Sequence, residues 1–121
     1  EAADVHPRVR PRYARILGTM SYALRRVRPD DALAAARAAA AFLPTDPRKH
    51  YELGDASFVI GLHSFPLAEA LFLLARHELD AGGVDSAKRH LRLYLVVLPR
   101  GREPRLTEAE IEDLGPQSEL D

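Results

Sequence analysis

The chain has 121 residues, with 46% apolar and 29% charged side chains and a formal net charge of −1, the balance of one globular domain with a single core. No apolar run approaches the ~18 residues a membrane span needs. The absence of cysteine excludes disulfides and thiolate metal sites and leaves the compartment open. The chain opens with Glu1 rather than Met, which fits an excised segment, a fragment of a longer protein or a processed mature chain. The cytoplasm is the expected compartment, with an exported mature chain as the alternative.

Charge is unevenly spread. Residues 1–28 carry seven arginines against Glu1 and Asp4, a balance of +5, whereas residues 99–121 carry three arginines against seven acids, a balance of −4. Such asymmetry fits two solvated ends, or a basic arm that meets an acidic partner or nucleic acid. Alanine and leucine dominate and β-branched residues are few, so helix is the favoured local state.

Residues 1–11, with Pro7 and Pro11 among Arg and Val, read as an extended basic arm. From Arg12, the residues Tyr13, Ile16, Leu17, Met20, Ala23, Leu24 and Val27 recur at three and four, one apolar stripe of an amphipathic helix. Pro29 is expected to stop it, because the residue before a proline is pushed out of the α region. A second helix starts at Asp30 or Asp31, where a carboxylate can cap free amides, and runs to Leu43 before Pro44. Eight alanines in the ten residues 32–41 give strong propensity and little bulk, so this face is useful only against a close neighbouring helix. Asp46-Pro47 opens a third helix carrying Tyr51, Leu53, Gly54, Phe58 and Ile60 and fading at Gly61. The fourth, from Pro66 to Asp80, is apolar nearly all round, as befits the buried centre of a bundle. Gly82-Gly83 makes a tight turn. The fifth buries Val84, Ala87, Leu91, Tyr94, Leu95 and Leu98 and ends at Pro99 and Gly101. Thr107 and Glu110 form a capping box that opens a short helix closing at Leu114, and residues 117–121 should fray.

The second and fifth helices align without gaps over residues 29–44 and 84–99, an offset of 55 with identities at Asp30/Asp85, Ala32/Ala87, Arg37/Arg92, Leu43/Leu98 and Pro44/Pro99. Fixed-spacing self-similarity marks repeat architectures. The residues resemble a tetratricopeptide repeat, a helix-turn-helix of roughly 34 residues. Over residues 68–101 the matching positions are Leu74, Ala75, Gly82, Ala87, Leu91 and Pro99, with Tyr94 standing where the pattern has a small residue. Over residues 13–46 they are Ala32, Ala39 and Pro44, while Thr19 and Met20 depart. Since 55 is not a multiple of 34, the third helix is an insertion or a degenerate repeat. A generic antiparallel bundle with two similar helices is the alternative.

The resemblance implies an all-α fold, a right-handed array of antiparallel hairpins with five main helices and a short terminal one over residues 12–115, followed by a frayed tail at 116–121. It implies a protein–protein interaction module or small chaperone whose concave side is lined by Leu17, Ser21, Leu24 and Arg25 of the first helix and Glu69, Phe72 and Arg76 of the fourth. The same side chains suit simple core packing at Leu17, Leu24 and Phe72. An acidic peptide or chain terminus is the expected partner. A regulatory or dimerisation domain of a larger protein, with a homodimer through helix four or five, is the other class.

No pair among the five histidines has the i, i+4 spacing of two metal ligands on one helix face. Glu78 and Asp80 flank His77, but adjacent helix positions point apart. There is no glycine-rich phosphate loop, nucleophile elbow or His/Cys pairing, so neither catalysis nor a cofactor is expected. The arginine-rich first third has little aromatic interleaving, and nucleic acid is a weak candidate partner.

Overall fold

The computed structural model of the chain describes residues 9–43 and 63–120; most of the expected amino-terminal arm, the third helix over residues 46–61 and Asp121 lie outside the described residues. The described residues are all-α, with no strand. Among the described residues five helices pack against one another: α1 (Arg10–Leu24), α2 (Pro29–Ala41), α3 (Phe65–Asp80), α4 (Val84–Val97) and α5 (Glu108–Glu112).

Two antiparallel hairpins make the frame. In the first, Ser21 of α1 lies beside Ala32 of α2, and Tyr13 stacks on Phe42 just past the far end of α2. In the second, Phe72 and Glu78 of α3 meet Tyr94 and His90 of α4. The second turn is a left-handed helix stop. Gly82, at φ +88°, lets its own N–H reach the Leu79 carbonyl while the Gly83 N–H reaches that of Glu78 at 2.7 Å. Ser64 caps the start of α3 by accepting from the Leu67 N–H.

α3 is the centre and packs on α1, α2 and α4. Its residues Leu67, Ala68, Ala70, Leu71, Phe72, Leu74, Ala75 and Leu79 are buried, and each fully buried leucine contributes about 1.5–3 kcal/mol. The alanine face of α2 packs as its lack of bulk requires: Ala32, Ala35, Ala36 and Ala39 are buried, and Ala36 sits against Ala70 and Leu74. The capping box of α5 is formed in both directions between Thr107 and Glu110, and Ile111 is buried under it.

Several local expectations are corrected. α1 starts at Arg10, with Pro11 in its first turn, where a proline costs no hydrogen bond. It ends at Leu24, so Pro29 does not stop it; Pro29 is the first residue of α2, and Arg28 before it is the residue held outside the α region. Asp30 and Asp31 cap no amide. Asp31 instead pairs with Arg28 at 2.7 Å, and α2 ends at Ala41 rather than Leu43. On α4 the buried set is Ala87, His90, Leu91, Leu93, Tyr94 and Val97, with Val84, Leu95 and Leu98 half-buried. In the tail, Leu120 packs on the core together with Leu114, and Ser118 accepts from the Gly115 N–H.

The largest correction concerns which side of α1 faces inward. The buried residues are Pro11, Ala14, Gly18 and Ser21, whereas Tyr13, Ile16, Met20 and Val27 of the expected core stripe are exposed. Small residues win the inner face because they let the backbones of α1 and α3 approach. A Cβ placed on Gly18 would lie 2.6 Å from the Leu67 Cα.

Candidate functional site

Where α1 crosses α3, the side chains leave a cleft of about 190 Å³, lined by Ser21, Tyr22, Arg25, Glu69, Phe72, Arg76 and Arg105 among others. Three guanidinium groups and one carboxylate share it. Arginine stays protonated at any ordinary pH and carries five N–H donors, so the cleft is cationic and rich in donors.

Each arginine is held by an aromatic ring. Arg25 lies 3.7 Å from the centroid of Tyr22 and donates through Nη1 to the Tyr22 carbonyl. Tyr22 in turn stands edge-on to Phe65, with centroids 5.6 Å apart. Phe72 has Arg105 at 4.4 Å and Arg76 at 5.3 Å from its centroid, so one ring anchors two cations. Arg105 Nη2 donates to Glu69 Oε1 at 2.5 Å, which neutralises one of the three positive charges. Arg76 makes no ion pair among the described residues, and its buried Nε has no hydrogen-bond partner. A buried donor without an acceptor costs about 1–3 kcal/mol.

The residues expected to line a groove divide into two sets. Ser21, Arg25, Glu69, Phe72 and Arg76 come together in this cleft. Leu17 and Leu24 are half-buried and stand outside its lining, Leu17 packing on the core. Ser21 is fully buried and its hydroxyl donates to the Ala32 carbonyl at 2.7 Å, so it ties α1 to α2. Phe72, 2% exposed, is both core and cleft wall.

Tyr22, Ala70, Leu73 and Arg105 also line the cleft and were not expected there. Arg105 belongs to the irregular segment after α4, with no periodicity to place it. Its position is set by Tyr94, whose hydroxyl accepts from the Arg105 backbone N–H at 3.1 Å. Tyr94 lies on α4 and is almost completely buried. Its ring fills the space beside Phe72, with centroids 5.6 Å apart, and its hydroxyl reaches beyond to fix the incoming strand of chain.

Away from the cleft, Glu78 faces His90 across the α3–α4 hairpin, with Oε1 2.5 Å from Nδ1, rather than its sequence neighbour His77. Among the described residues, no group of three or more His, Cys, Asp or Glu side chains could hold a metal ion. No helix of the described residues is long and apolar enough to cross a membrane. On the acidic side, Arg92 and the backbone contact of Lys88 hold Glu112 at the end of α5. The hydrogen bond from Arg92 and its charge pull the Glu112 carboxyl below its ordinary range.

Set against known protein families, curated proteins and solved structures, the chain matches none of them.

Proposed function

We propose that the chain is a helical protein–protein interaction module whose α1–α3 cleft receives an acidic peptide segment or a carboxylate chain terminus. The observation that carries this reading is Arg76, whose Nε is buried without an acceptor beside two further guanidinium groups in an open cleft. A carboxylate there can take two parallel N–H bonds from one arginine, charge-assisted and stronger than neutral pairs. Rings under the arginines fix the guanidinium planes before a ligand arrives, which lowers the ordering cost of binding.

The tetratricopeptide-like arrangement is part of the same proposal. It is supported by two antiparallel hairpins in which the mutually similar helices α2 and α4 are each the second member. In that arrangement α1 and α3 are the helices that line the binding side, and the cleft lies between them. The bound partner is another protein or peptide, as for a scaffold or a small dedicated chaperone.

The test is titration of labelled acidic peptides, with free and amidated carboxyl ends, into the wild-type chain and the Arg25→Ala/Arg76→Ala double variant. The variant is expected to weaken binding by about 2 kcal/mol or more, the scale of interface hot spots, while circular dichroism shows the fold retained. Equal affinity in the two proteins refutes the cleft as the binding site.

A further inference from the structure

α1 is two-faced, and its outward face is not accounted for by the cleft. Opposite the buried Ala14, Gly18 and Ser21, the row Val9, Tyr13, Ile16, Met20, Ala23 and Val27 follows spacings of four, three, four, three and four. That alternation is the seam of a coiled coil, which a helix presents to a partner helix. Its large members are open to solvent: Val9 is 38% exposed, Tyr13 46%, Ile16 52%, Met20 48% and Val27 75%. Single exposed apolar residues are ordinary on any protein; a row that runs the length of α1, from Val9 at its start to Val27 in the turn after it, marks an interaction site.

The two edges of the row differ in chemistry. At 100° per residue, Arg12, Arg15 and Arg26 fall along one edge. All three are exposed, and none forms an ion pair among the described residues. The other edge is closed by the α2 end of the hairpin, where Phe42 stacks on Tyr13 with centroids 5.4 Å apart. We propose that this face docks an amphipathic helix of a partner protein, apolar at the same three–four spacing and carrying carboxylates along the edge that meets Arg12, Arg15 and Arg26.

Charge selects this occupant over the others. An antiparallel pairing with a second copy sets Arg12 against Arg26 of that copy, a like-charge contact that costs energy in any e/g-type position. A helix lying on an anionic bilayer uses cations along both margins of its apolar face, and here α2 closes one margin. A flanking helix with glutamates satisfies both the row and the free arginines. The surface is independent of the cleft, because it stands on residues that point away from α3.

A probe of about three heptads, with Leu at a and d and Glu at e and g, tests this by fluorescence anisotropy against the purified chain. Its control carries Lys in place of each Glu. The acidic probe is expected to bind at least about tenfold more tightly than the basic one, a difference of about 1.4 kcal/mol. Ile16→Glu/Met20→Glu should reduce its binding by about tenfold or more, and Arg12→Glu/Arg15→Glu/Arg26→Glu should invert the preference between the probes. These side chains are exposed, so circular dichroism should show each variant folded. Equal binding of the two probes, or binding unchanged in Ile16→Glu/Met20→Glu, overturns the proposal. So does a doubling of solution mass abolished by Ile16→Glu, which assigns the face to a second copy. Co-sedimentation with phosphatidylglycerol vesicles that Ile16→Glu abolishes, without binding of the acidic probe, assigns it to a membrane surface. Arg25→Ala/Arg76→Ala should leave probe binding intact, which separates this outcome from failure of the cleft.

Discussion

Gly18→Ala sets two effects of opposite sign against each other. In a helix interior alanine is favoured over glycine by about 0.8–1.0 kcal/mol, so on local grounds the substitution stabilises α1. The tertiary contact says otherwise. The added Cβ would lie 2.6 Å from the Leu67 Cα and 2.9 Å from its Cβ and Cδ1. Cδ1 can swing away, but Cα and Cβ belong to the frame of α3. Reaching the carbon–carbon optimum of about 3.5–4.0 Å therefore needs the two helices to part by about 1 Å. Overpacking of this kind costs about 1–3 kcal/mol, and parting the helices also loosens Ala14, which is fully buried in the same contact. Net destabilisation of up to about 2 kcal/mol follows, or up to roughly 10 °C in Tm for a chain of this size. Urea titration should show a lower midpoint at an unchanged slope. A midpoint equal to or above that of the wild type would mean that α1 and α3 are not in backbone contact, and the inward face of α1 would have to be reassigned.

Two further outcomes follow from the packing and the electrostatics. Ala36→Leu or Ala39→Leu should each lower stability by about 1–3 kcal/mol in the same titration, because both alanines are fully buried against neighbouring helices. Removing the Arg92 guanidinium with Arg92→Met should raise the Glu112 pKa back towards its ordinary range, read as a carboxyl carbon titration by NMR. Since the folded-state value is depressed, the Arg92–Glu112 contact stabilises the fold above the unfolded-state pKa and is lost as pH falls through the folded one. An unchanged Glu112 titration in the variant would mean that the pair does not persist in solution.

Local signals located the helices, although the ends of α1 and α2 and the expected Asp30/Asp31 cap differ in the structure. The helix expected from Pro66 to Asp80, the glycine turn at Gly82 and the Thr107/Glu110 box are all readable within a few residues. The orientation of α1 was not readable that way. Periodicity ranks faces by apolar bulk, and by that measure Tyr13, Ile16 and Met20 outrank Ala14, Gly18 and Ser21. Packing against α3 ranks them by how close the backbones can come, which no single helix reveals. Of the groove residues that the repeat resemblance implied, Ser21, Arg25, Glu69, Phe72 and Arg76 line the cleft, while Leu17 and Leu24 stand outside it. Arg105 could not be named in advance, since a residue in an irregular segment is placed only by what its backbone finds to bond.

Gly18 and Tyr94 together explain why a cationic cleft exists at this crossing. Three like charges in about 190 Å³ repel, and each must be fixed by something other than a full set of carboxylates. The close approach at Gly18 brings α1 near enough to α3 for Tyr22 and Arg25 to share a wall with Glu69 and Arg76. Tyr94, fully buried on the far side of α3, carries the third guanidinium in from the segment after α4 by holding the Arg105 backbone. Glu69 offsets Arg105, and the rings of Tyr22 and Phe72 take the faces of the guanidiniums, interactions worth about 0.5–2 kcal/mol each without using up an N–H. The result is a set of oriented donors with one buried N–H left over at Arg76. Substituting a small residue at Tyr94 removes the tether that brings Arg105 onto Phe72 and Glu69. The Tyr94 hydroxyl is therefore the feature that gives this cleft its third cation.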